Sequence, residues 1–329
     1  GIPSMLNGKS ILLTGGTGSF GKAFTRHVLQ NFRPKRLVIF SRDELKQFEM
    51  AQTFPPEKYP CIQYLLGDVR DRDRLVRVLD GIDTVIHAAA LKQVPAAEIN
   101  PTEAIRTNVL GAMNLIDACI DRGISRVIAL STDKACNPVN LYGATKLCSD
   151  KLFVAANNYS GSHPTRFALV RYGNVLGSRG SVIPFFKKMK ETGEIPITDE
   201  AMTRFFITLS AGVQLVLRAL EHMEGGEIFV PKIPSMNIMA VAKAIAPGVK
   251  TRVIGIRPGE KLHESMIGVE DARNTVEFDD FFAVYPQTSN MQRNDKPYAS
   301  KTRGKPVPDG FQYSSDRNSE WLTETALLR

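Results

Sequence analysis

Several features common in other protein classes are missing from this sequence. The four cysteines form no C-x-x-C pair, and the five histidines show no metal-ligand spacing. We therefore expect neither a disulfide framework nor a metal site. No apolar run approaches the roughly 18 to 20 residues needed to span a bilayer, and no signal peptide is present. These absences predict a soluble, cytoplasmic protein with reduced cysteines and no membrane contact.

The basic residues are scattered. No run of five or more Lys or Arg occurs, although the formal net charge is +8. This distribution argues against a nucleic-acid partner, while the same positive field would attract a phosphorylated cofactor and a diphosphate-bearing substrate. The 329 residues can form a large α/β domain with a smaller satellite.

A glycine-rich loop follows the first predicted strand, Ser10–Thr14. Gly15, Gly18 and Gly21 have G-x-x-G-x-x-G spacing, and an amphipathic helix is predicted from about Lys22. Such glycines permit a tight turn, and the helix N-terminus offers free N–H groups to a pyrophosphate. A glycine run alone could be only a tight connection, but its place between a strand and a helix predicts a dinucleotide site. The residues assigned to this site are Gly15, Thr17, Gly18, Ser19, Phe20 and Gly21.

The end of the second predicted strand, Arg36–Phe40, bears on which dinucleotide binds. A carboxylate at this point would bind the ribose 2′-hydroxyl of NAD. Ser41 and Arg42 stand there instead, and a hydroxyl with a guanidinium suits the 2′-phosphate of NADP. Asp43 keeps NAD open, and Arg42 could also be a solvated charge. Lys46 completes this group of cofactor candidates.

The next two predicted strands, Ile62–Leu66 and Thr84–His87, also end in cofactor candidates. Asp68 could accept a hydrogen bond from the adenine amino group while Val69 covers the ring; alternatively, Asp68 caps the next helix. Small side chains after the fourth strand would let the cofactor's ribose lie against the backbone. These are Ala88, Ala89 and Ala90.

Two polar residues follow these alanines. Lys92 is predicted to point into the cleft, where it could contact both cofactor and substrate. Asn108 lies on a helix predicted from about Pro101 to Arg122. Its amide could hold the active-site backbone, or it could be an ordinary polar residue on a helix face.

The predicted catalytic residues lie in the segment 130–146, which begins at the end of the fifth predicted strand, Arg126–Leu130. Tyr142 and Lys146 lie four residues apart, and therefore on one face of a helix. A neighbouring ammonium would lower the pKa of the tyrosine from about 10, so that it could accept a proton from a sugar hydroxyl. Helical surfaces also produce this spacing by chance. Polar residues at the strand end, where parallel sheets bind ligands, favour the catalytic interpretation. They are Ser131, Thr132, Asp133 and Lys134.

The strand–helix repeat breaks after a sixth predicted strand, Phe167–Arg171, where a glycine-rich stretch begins. Scattered cations beyond it could bind a sugar-nucleotide diphosphate, although each alone could be a surface charge. Further helices are predicted at 184–190, about 211–223 and around Trp321, and further strands at 227–230 and 252–256. The substrate-binding candidates are Lys92, Thr132, Asn174, Arg179, Val182, Thr203, Arg204, Arg257, Glu260 and Lys261.

These repeats predict an α/β fold, a Rossmann-type doubly wound parallel sheet with right-handed crossovers and a smaller C-terminal substrate-binding subdomain. The expected boundaries are 5–178 for the dinucleotide-binding domain and 179–329 for the subdomain and tail. Residues 211–231 are expected to return to the first domain.

The motifs together resemble the extended short-chain dehydrogenase/reductase family, and within it the inverting UDP-N-acetylglucosamine 4,6-dehydratases, which begin pseudaminic acid synthesis. The resemblance covers nearly the whole chain and implies NADP, UDP-N-acetylglucosamine and a homo-oligomer larger than a dimer. The stretches that carry it are 14–21, 40–44, 131–134, 142–146, 171–175 and 257–264.

The resemblance also implies a chemistry. Related sugar-nucleotide 4,6-dehydratases carry Asp-Glu where this chain has Asp133 and Lys134. After oxidation at C4, Lys134 would remove the C5 proton, Asp133 would protonate the departing C6 hydroxyl, and C5 would be reprotonated with inversion. These roles imply a neutral Lys134, with its pKa lowered by Lys146 and the nicotinamide, and a protonated Asp133. A C5-retaining dehydratase, a C4-epimerase and a silent dinucleotide-binding scaffold are the alternatives.

Overall fold

The computed structural model describes residues 5–90, 94–176, 182–286 and 304–328. Lys92 and Arg179, predicted to bind ligands, therefore lie outside the described residues. Among the described residues, no helix is long and apolar enough to cross a membrane.

Seventeen strands are formed by the described residues. They are β1 (Ser10–Thr14), β2 (Arg36–Ser41), β3 (Ile62–Leu66), β4 (Thr84–His87), β5 (Arg126–Thr132), β6 (Arg166–Tyr172), β7 (Asn174–Val175), β8 (Glu194–Ile197), β9 (Thr203–Ile207), β10 (Ile228–Pro231), β11 (Ser235–Asn237), β12 (Lys250–Val253), β13 (Ser265–Ile267), β14 (Thr275–Glu277), β15 (Phe281–Val284), β16 (Lys305–Pro306) and β17 (Tyr313–Ser314).

The helices occupy the connections between these strands. They are α1 (Ser19–Asn31), α2 (Glu44–Thr53), α3 (Arg72–Val78), α4 (Val94–Ile99), α5 (Pro101–Ile105), α6 (Gly111–Asp121), α7 (Leu141–Tyr159), α8 (Val182–Lys190), α9 (Leu209–His222), α10 (Ile238–Ile245) and α11 (Glu324–Leu327), with a π-helical segment at Arg106–Leu110 and 3-10 turns at Asp133–Ala135 and Val269–Asn274.

The central sheet confirms the predicted Rossmann-type fold. Its strands run in the order β3-β2-β1-β4-β5-β6-β10, all parallel, and continue through the antiparallel strands β15, β14 and β16. The first six strands follow the doubly wound order of dinucleotide-binding sheets. The carboxyl ends of β1, β4 and β5 therefore meet at one edge of the sheet.

Alternate strand residues fill the cores on the two faces of the sheet, because successive side chains of a strand point in opposite directions. Ile11 and Leu13 pack with Phe24 of α1 on one face. Leu12 packs with Leu115 of α6 and with Phe153 of α7 on the other face. This second layer holds α7, the predicted catalytic helix, against the sheet.

Several predicted boundaries differ from the structure. Helix α1 begins at Ser19, not near Lys22, because Gly18 is its N-cap. The single helix predicted over 101–122 is interrupted by the π-helical segment. The helix predicted around Trp321 lies at Glu324–Leu327, and Trp321 instead forms an isolated bridge with Ser235.

The chain beyond β6 contributes to two regions. A small layer is built from the sheet β11-β9-β7 and the pair β12-β8, around a core that includes Phe186, Ile195 and Phe206. Strands β10, β14, β15 and β16 belong to the central sheet. The return of residues 211–231 thus has a counterpart in β10, but the 179–329 segment also supplies the antiparallel strands. The predicted division at residue 178 stays a prediction.

Candidate active site

The end of β5 carries the polar residues of the site. Thr132 caps the 3-10 turn Asp133–Ala135, and its hydroxyl accepts a hydrogen bond from the Lys134 N–H at 3.3 Å. The same hydroxyl donates to Asp133 Oδ1, also at 3.3 Å. This turn fixes the backbone that presents Asp133 and Lys134.

Helix α7 packs directly on this turn. Asn140 caps the helix by accepting from the Gly143 N–H at 2.7 Å. A Cβ atom at Gly143 would lie 2.2 Å from the Lys134 carbonyl oxygen. A glycine is therefore required here for the helix carrying Tyr142 and Lys146 to approach the Lys134 backbone.

Tyr142 and Lys146 are both buried on the face of α7 that looks onto β5. The Lys146 ammonium donates to the Leu130 carbonyl oxygen at 3.0 Å. Burial raises the pKa of Tyr142 to about 12, against the lowering effects of the Lys134 charge and a hydrogen bond with Thr132. The expectation of a lowered tyrosine pKa is therefore wrong in this structure. The cation that favours the phenolate is Lys134.

Lys134 lies between two carboxylates. Its Nζ is 3.1 Å from Asp133 Oδ1 and 3.7 Å from Glu264 Oε1. Burial alone would lower the pKa of Lys134, but the charges of Asp133 and Glu264 outweigh it and raise that pKa well above its usual value. The expectation of a neutral Lys134 is wrong in this structure, because the two carboxylates favour the ammonium form. The sequence could not show that both carboxylates lie beside Lys134.

Asp133 is completely buried beneath Lys134. Its Oδ2 atom has no hydrogen-bond partner among the described residues. A Cβ atom at Gly173 would lie 2.9 Å from this Oδ2, so the chain leaving β6 closes over the carboxyl group. Lys134, which is partly exposed, contacts the other carboxylate oxygen, Asp133 Oδ1, at 3.1 Å.

Glu264 is a candidate site residue that was not among those predicted from the sequence. It is buried, and it lies three residues after Lys261 in the stretch 257–264, which contributed to the family resemblance. Because 130 residues separate it from Lys134, spacing could not reveal their contact. The motif itself was the available signal.

The predicted cofactor loop lies at the carboxyl end of β1. Gly15 has a φ of 61°, and a Cβ atom there would lie 2.7 Å from the Ala89 backbone nitrogen. The Thr14 hydroxyl accepts from the Ala88 and Ala89 N–H groups at 3.1 and 3.2 Å, and it contacts His87 Nδ1 at 2.7 Å. Burial and then the Lys146 charge lower the pKa of His87 to about 3, so this histidine is neutral.

The glycines of this loop differ in what requires them. A Cβ atom at Gly21 would lie 2.0 Å from the Gly16 carbonyl oxygen, whereas at Gly18 the nearest atom would be the Gly15 oxygen at 3.5 Å. A Cβ atom at Gly18 would thus make only an ordinary contact, so packing within the protein does not require glycine there, and close approach of a pyrophosphate to the backbone would explain it. Thr17 and Phe20 are buried, and Ser19 is exposed. The Phe20 ring belongs to the hydrophobic core.

Arg42 is 61% exposed at the end of β2, 3.7 Å from the Asp68 carboxylate. Asp43 caps α2 by accepting from the Lys46 N–H at 3.0 Å, so its carboxylate already has a structural partner. The buried Ser41 hydroxyl accepts from Gln47. The Arg42 guanidinium is therefore an exposed cation at the strand end, beside the exposed Asp43 and Glu44.

Asp68 is not the cap of α3, because Asp71 fills that position. Burial would raise the pKa of Asp68, but hydrogen bonds and the charge from Arg70 hold it below its usual value. Val69 beside it is buried. The side chains of Ala89 and Ala90 are half-buried.

Asn108 is buried in the π-helical segment. Its amide donates to the Thr145 hydroxyl at 3.0 Å, and that hydroxyl donates to the Tyr142 carbonyl oxygen at 2.8 Å. The side chain thereby ties the π-helical segment to the helix of Tyr142.

Two residues predicted to bind the substrate instead donate hydrogen bonds to the protein's own backbone. Arg204 donates to the backbone carbonyl oxygens of Thr203, Lys261 and Leu262. The Lys261 ammonium donates to the Cys136 carbonyl oxygen. Lys261 therefore links this part of the chain to the turn after β5.

The remaining substrate-binding candidates lie on several separate elements. The Thr203 hydroxyl is buried against His263 Nδ1 at 2.6 Å. The Asn174 amide donates to the Phe205 carbonyl oxygen at 3.3 Å. Val182 is the first residue of α8, and Arg257 is exposed near Glu260.

Comparison with known proteins identifies the family. A family model described as polysaccharide biosynthesis protein matches residues 11–286. The chain belongs to this family. The chain is also 56% identical over 328 residues to the UDP-N-acetylglucosamine 4,6-dehydratase (inverting) of Campylobacter jejuni subsp. jejuni, covering 98% of this chain and 97% of that protein. This relative confirms the resemblance inferred from the motifs.

Other relatives and structures agree with the fold. The UDP-glucose 4-epimerase of Rickettsia canadensis is 42% identical, with 84% of this chain and 82% of that protein covered. The X-ray structure of Pen from Bacillus thuringiensis superposes with a TM-score of 0.87 at 35% identity, covering 98% of this chain and 97% of that one. The dTDP-glucose 4,6-dehydratase DesIV of Streptomyces venezuelae gives 0.69 at 22% identity, covering 89% and 98%, and shows the fold alone.

Proposed function

We propose that this protein is an NADP-dependent, inverting 4,6-dehydratase of UDP-N-acetylglucosamine. The observation that carries the proposal is the placement of Asp133 and Lys134 beside Tyr142, at the carboxyl edge of the sheet. The name of the Campylobacter relative, at 56% identity over nearly the whole chain, supports the same reaction.

The loop after β1 fits a nicotinamide dinucleotide. Gly18, where packing within the protein does not require a glycine, and the N-terminus of α1 suit the pyrophosphate. The exposed Arg42 suits a 2′-phosphate, because Asp43 is already used as a helix cap. The bound dinucleotide would supply a hydride acceptor and donor for the sugar.

The side chains of the site would handle the protons. Tyr142 would take the proton of the C4 hydroxyl, helped by the Lys134 charge. Lys134 would take the C5 proton and Asp133 would protonate the departing C6 hydroxyl. Because the carboxylates of Asp133 and Glu264 surround its ammonium, Lys134 would first transfer a proton to Asp133, which leaves a neutral amine as the base and a protonated carboxyl group as the acid.

A C4-epimerase is the second candidate, favoured by the similarity to the Rickettsia relative at 42% identity. An epimerase needs Tyr142 and Lys146 but has no use for Asp133 and Lys134. The two reactions differ in mass, because only dehydration removes water from the sugar.

Mass spectrometry of the product therefore tests the proposal. The protein is incubated with UDP-N-acetylglucosamine and NADP, and we expect a product lighter by one water. A sugar nucleotide of altered configuration but unchanged mass would indicate the epimerase. Unchanged substrate, with NADP bound, would indicate a silent scaffold.

A further inference from the structure

Glu264 is a buried carboxylate surrounded by cations. Its Oε1 lies 3.7 Å from Lys134 Nζ and 3.9 Å from Arg204 Nε, and its Oε2 lies 3.9 Å from Lys261 Nζ. The Oε2 atom has no hydrogen-bond partner among the described residues. A buried charge in this position requires compensation from its neighbours.

The backbone of Glu264 is fixed independently of its side chain. Its N–H donates to the Ser315 hydroxyl at 2.9 Å, and its carbonyl oxygen accepts from the Ser315 N–H at 2.8 Å. The Ser315 hydroxyl is also 2.7 Å from the Thr203 hydroxyl. Residues near the C-terminus therefore hold this carboxylate over the turn after β5.

The neighbouring cations depend on Glu264 to different degrees. Arg204 and Lys261 already donate to backbone carbonyl oxygens. The Lys134 ammonium instead lies between the carboxylates of Asp133 and Glu264. The side chain whose position and charge follow most directly from Glu264 is therefore Lys134.

We propose that Glu264 is a positioning residue for Lys134, holding its ammonium opposite Asp133 and setting the pH at which Lys134 becomes a base. The proposal rests on the proposed dehydratase function. Asp133, Glu264, Arg204 and Tyr142 are the charged or titratable groups that face Lys134. Those that face Glu264 are Asp133, Lys134, Arg204 and Lys261.

Removing the negative charge of Glu264 should change the pKa of Lys134 in a defined direction. An anion at this distance favours the ammonium form, so Glu264→Gln should lower the pKa of Lys134 by about 1 to 3 units. If neutral Lys134 is the base, the acidic limb of the pH profile of kcat should move to lower pH by the same amount. Glu264→Asp keeps the charge and should leave the limb near its wild-type position.

A matched control separates this effect from loss of stability. Glu227 is equally buried, and its carboxylate accepts from the backbone N–H groups of Glu224 and Gly225, away from the site. Glu227→Gln should lower stability without moving the pH limb. An unmoved limb in Glu264→Gln would overturn the proposal.

A second readout does not depend on turnover. In protein labelled with ¹³C at the lysine ε-carbon, the Lys134 signal is assigned by its loss in Lys134→Ala. We expect it to titrate at lower pH in Glu264→Gln than in the wild type, and an equal or higher midpoint would overturn the proposal. A wild-type protein that releases no water would refute the dehydratase function, while this titration would still test the contact between Glu264 and Lys134.

Discussion

The contact between helix α7 and the turn after β5 leads to a prediction about Gly143. Substituting Gly143→Ala would place a Cβ atom 2.2 Å from the Lys134 carbonyl oxygen and 3.0 Å from Pro138 Cβ. Because the nearest atom belongs to backbone, no side-chain rotation can relieve the clash. Either the helix carrying Tyr142 or the turn carrying Lys134 must move.

Two opposing effects determine the size of the change. Alanine is favoured over glycine within a helix by about 0.5–1 kcal/mol. Overpacking costs about 1–3 kcal/mol, so the expected net loss of stability is about 0–2.5 kcal/mol. An ordinary contact requires a displacement of about 1 Å, and a misplacement of this size can lower a rate by about 10²-fold.

Gly212→Ala is the matched control. Gly212 also lies in the first turns of a helix, α9, but a Cβ atom there meets nothing within 4 Å. The Gly212→Ala variant should gain about 0.5–1 kcal/mol in stability and keep the wild-type kcat. Denaturant unfolding and kcat for water loss measure both variants. A Gly143→Ala enzyme as stable and as fast as Gly212→Ala would refute the close approach of α7 to Lys134.

Three further predictions concern the cofactor, the base and the core. Arg42→Ala should weaken NADP binding much more than NAD binding in calorimetric titrations, whereas equal losses would separate the guanidinium from the 2′-phosphate. Lys134→Ala should retain binding of UDP-N-acetylglucosamine but lose dehydration, and an unimpaired rate would remove Lys134 from the mechanism. Arg171 and Asp150 form a buried ion pair at 3.1 Å. Arg171→Met should lower the free energy of unfolding by about 3–5 kcal/mol, because it removes the cation that pairs with the buried Asp150, and the double variant Arg171→Met/Asp150→Leu should lose less. A double variant no more stable than the single would contradict this.

The fold followed from the sequence where the local pattern was decisive. The first six strands were predicted to within two residues at each end, since each is a short, largely apolar run, and all but the fourth lead into a polar turn or a glycine. The π-helical segment at 106–110 was missed, because its apolar spacing resembles that of an ordinary helix. Its position becomes intelligible only from the contact of Asn108 with Thr145.

The charge states of the site could not be predicted from the sequence. Lys134 was expected to be neutral on the basis of nearby cations, but its nearest charged neighbours are Asp133 and Glu264. Adjacency in sequence does not show whether two side chains meet, and Glu264 reaches the site only through the packing of β13 and β17 near the C-terminus. Arg204 and Lys261, which were expected to bind the substrate, donate instead to backbone carbonyl oxygens within the protein.

The most direct test of the account is the fate of UDP-N-acetylglucosamine incubated with the protein and NADP in deuterated water. The account predicts that the first product has lost water, carries deuterium at C5 and has the L-arabino configuration, as read from its mass and NMR couplings. A product that retains the D-xylo configuration, with no L-arabino isomer forming later, would contradict inversion. A product of unchanged mass would contradict dehydration itself.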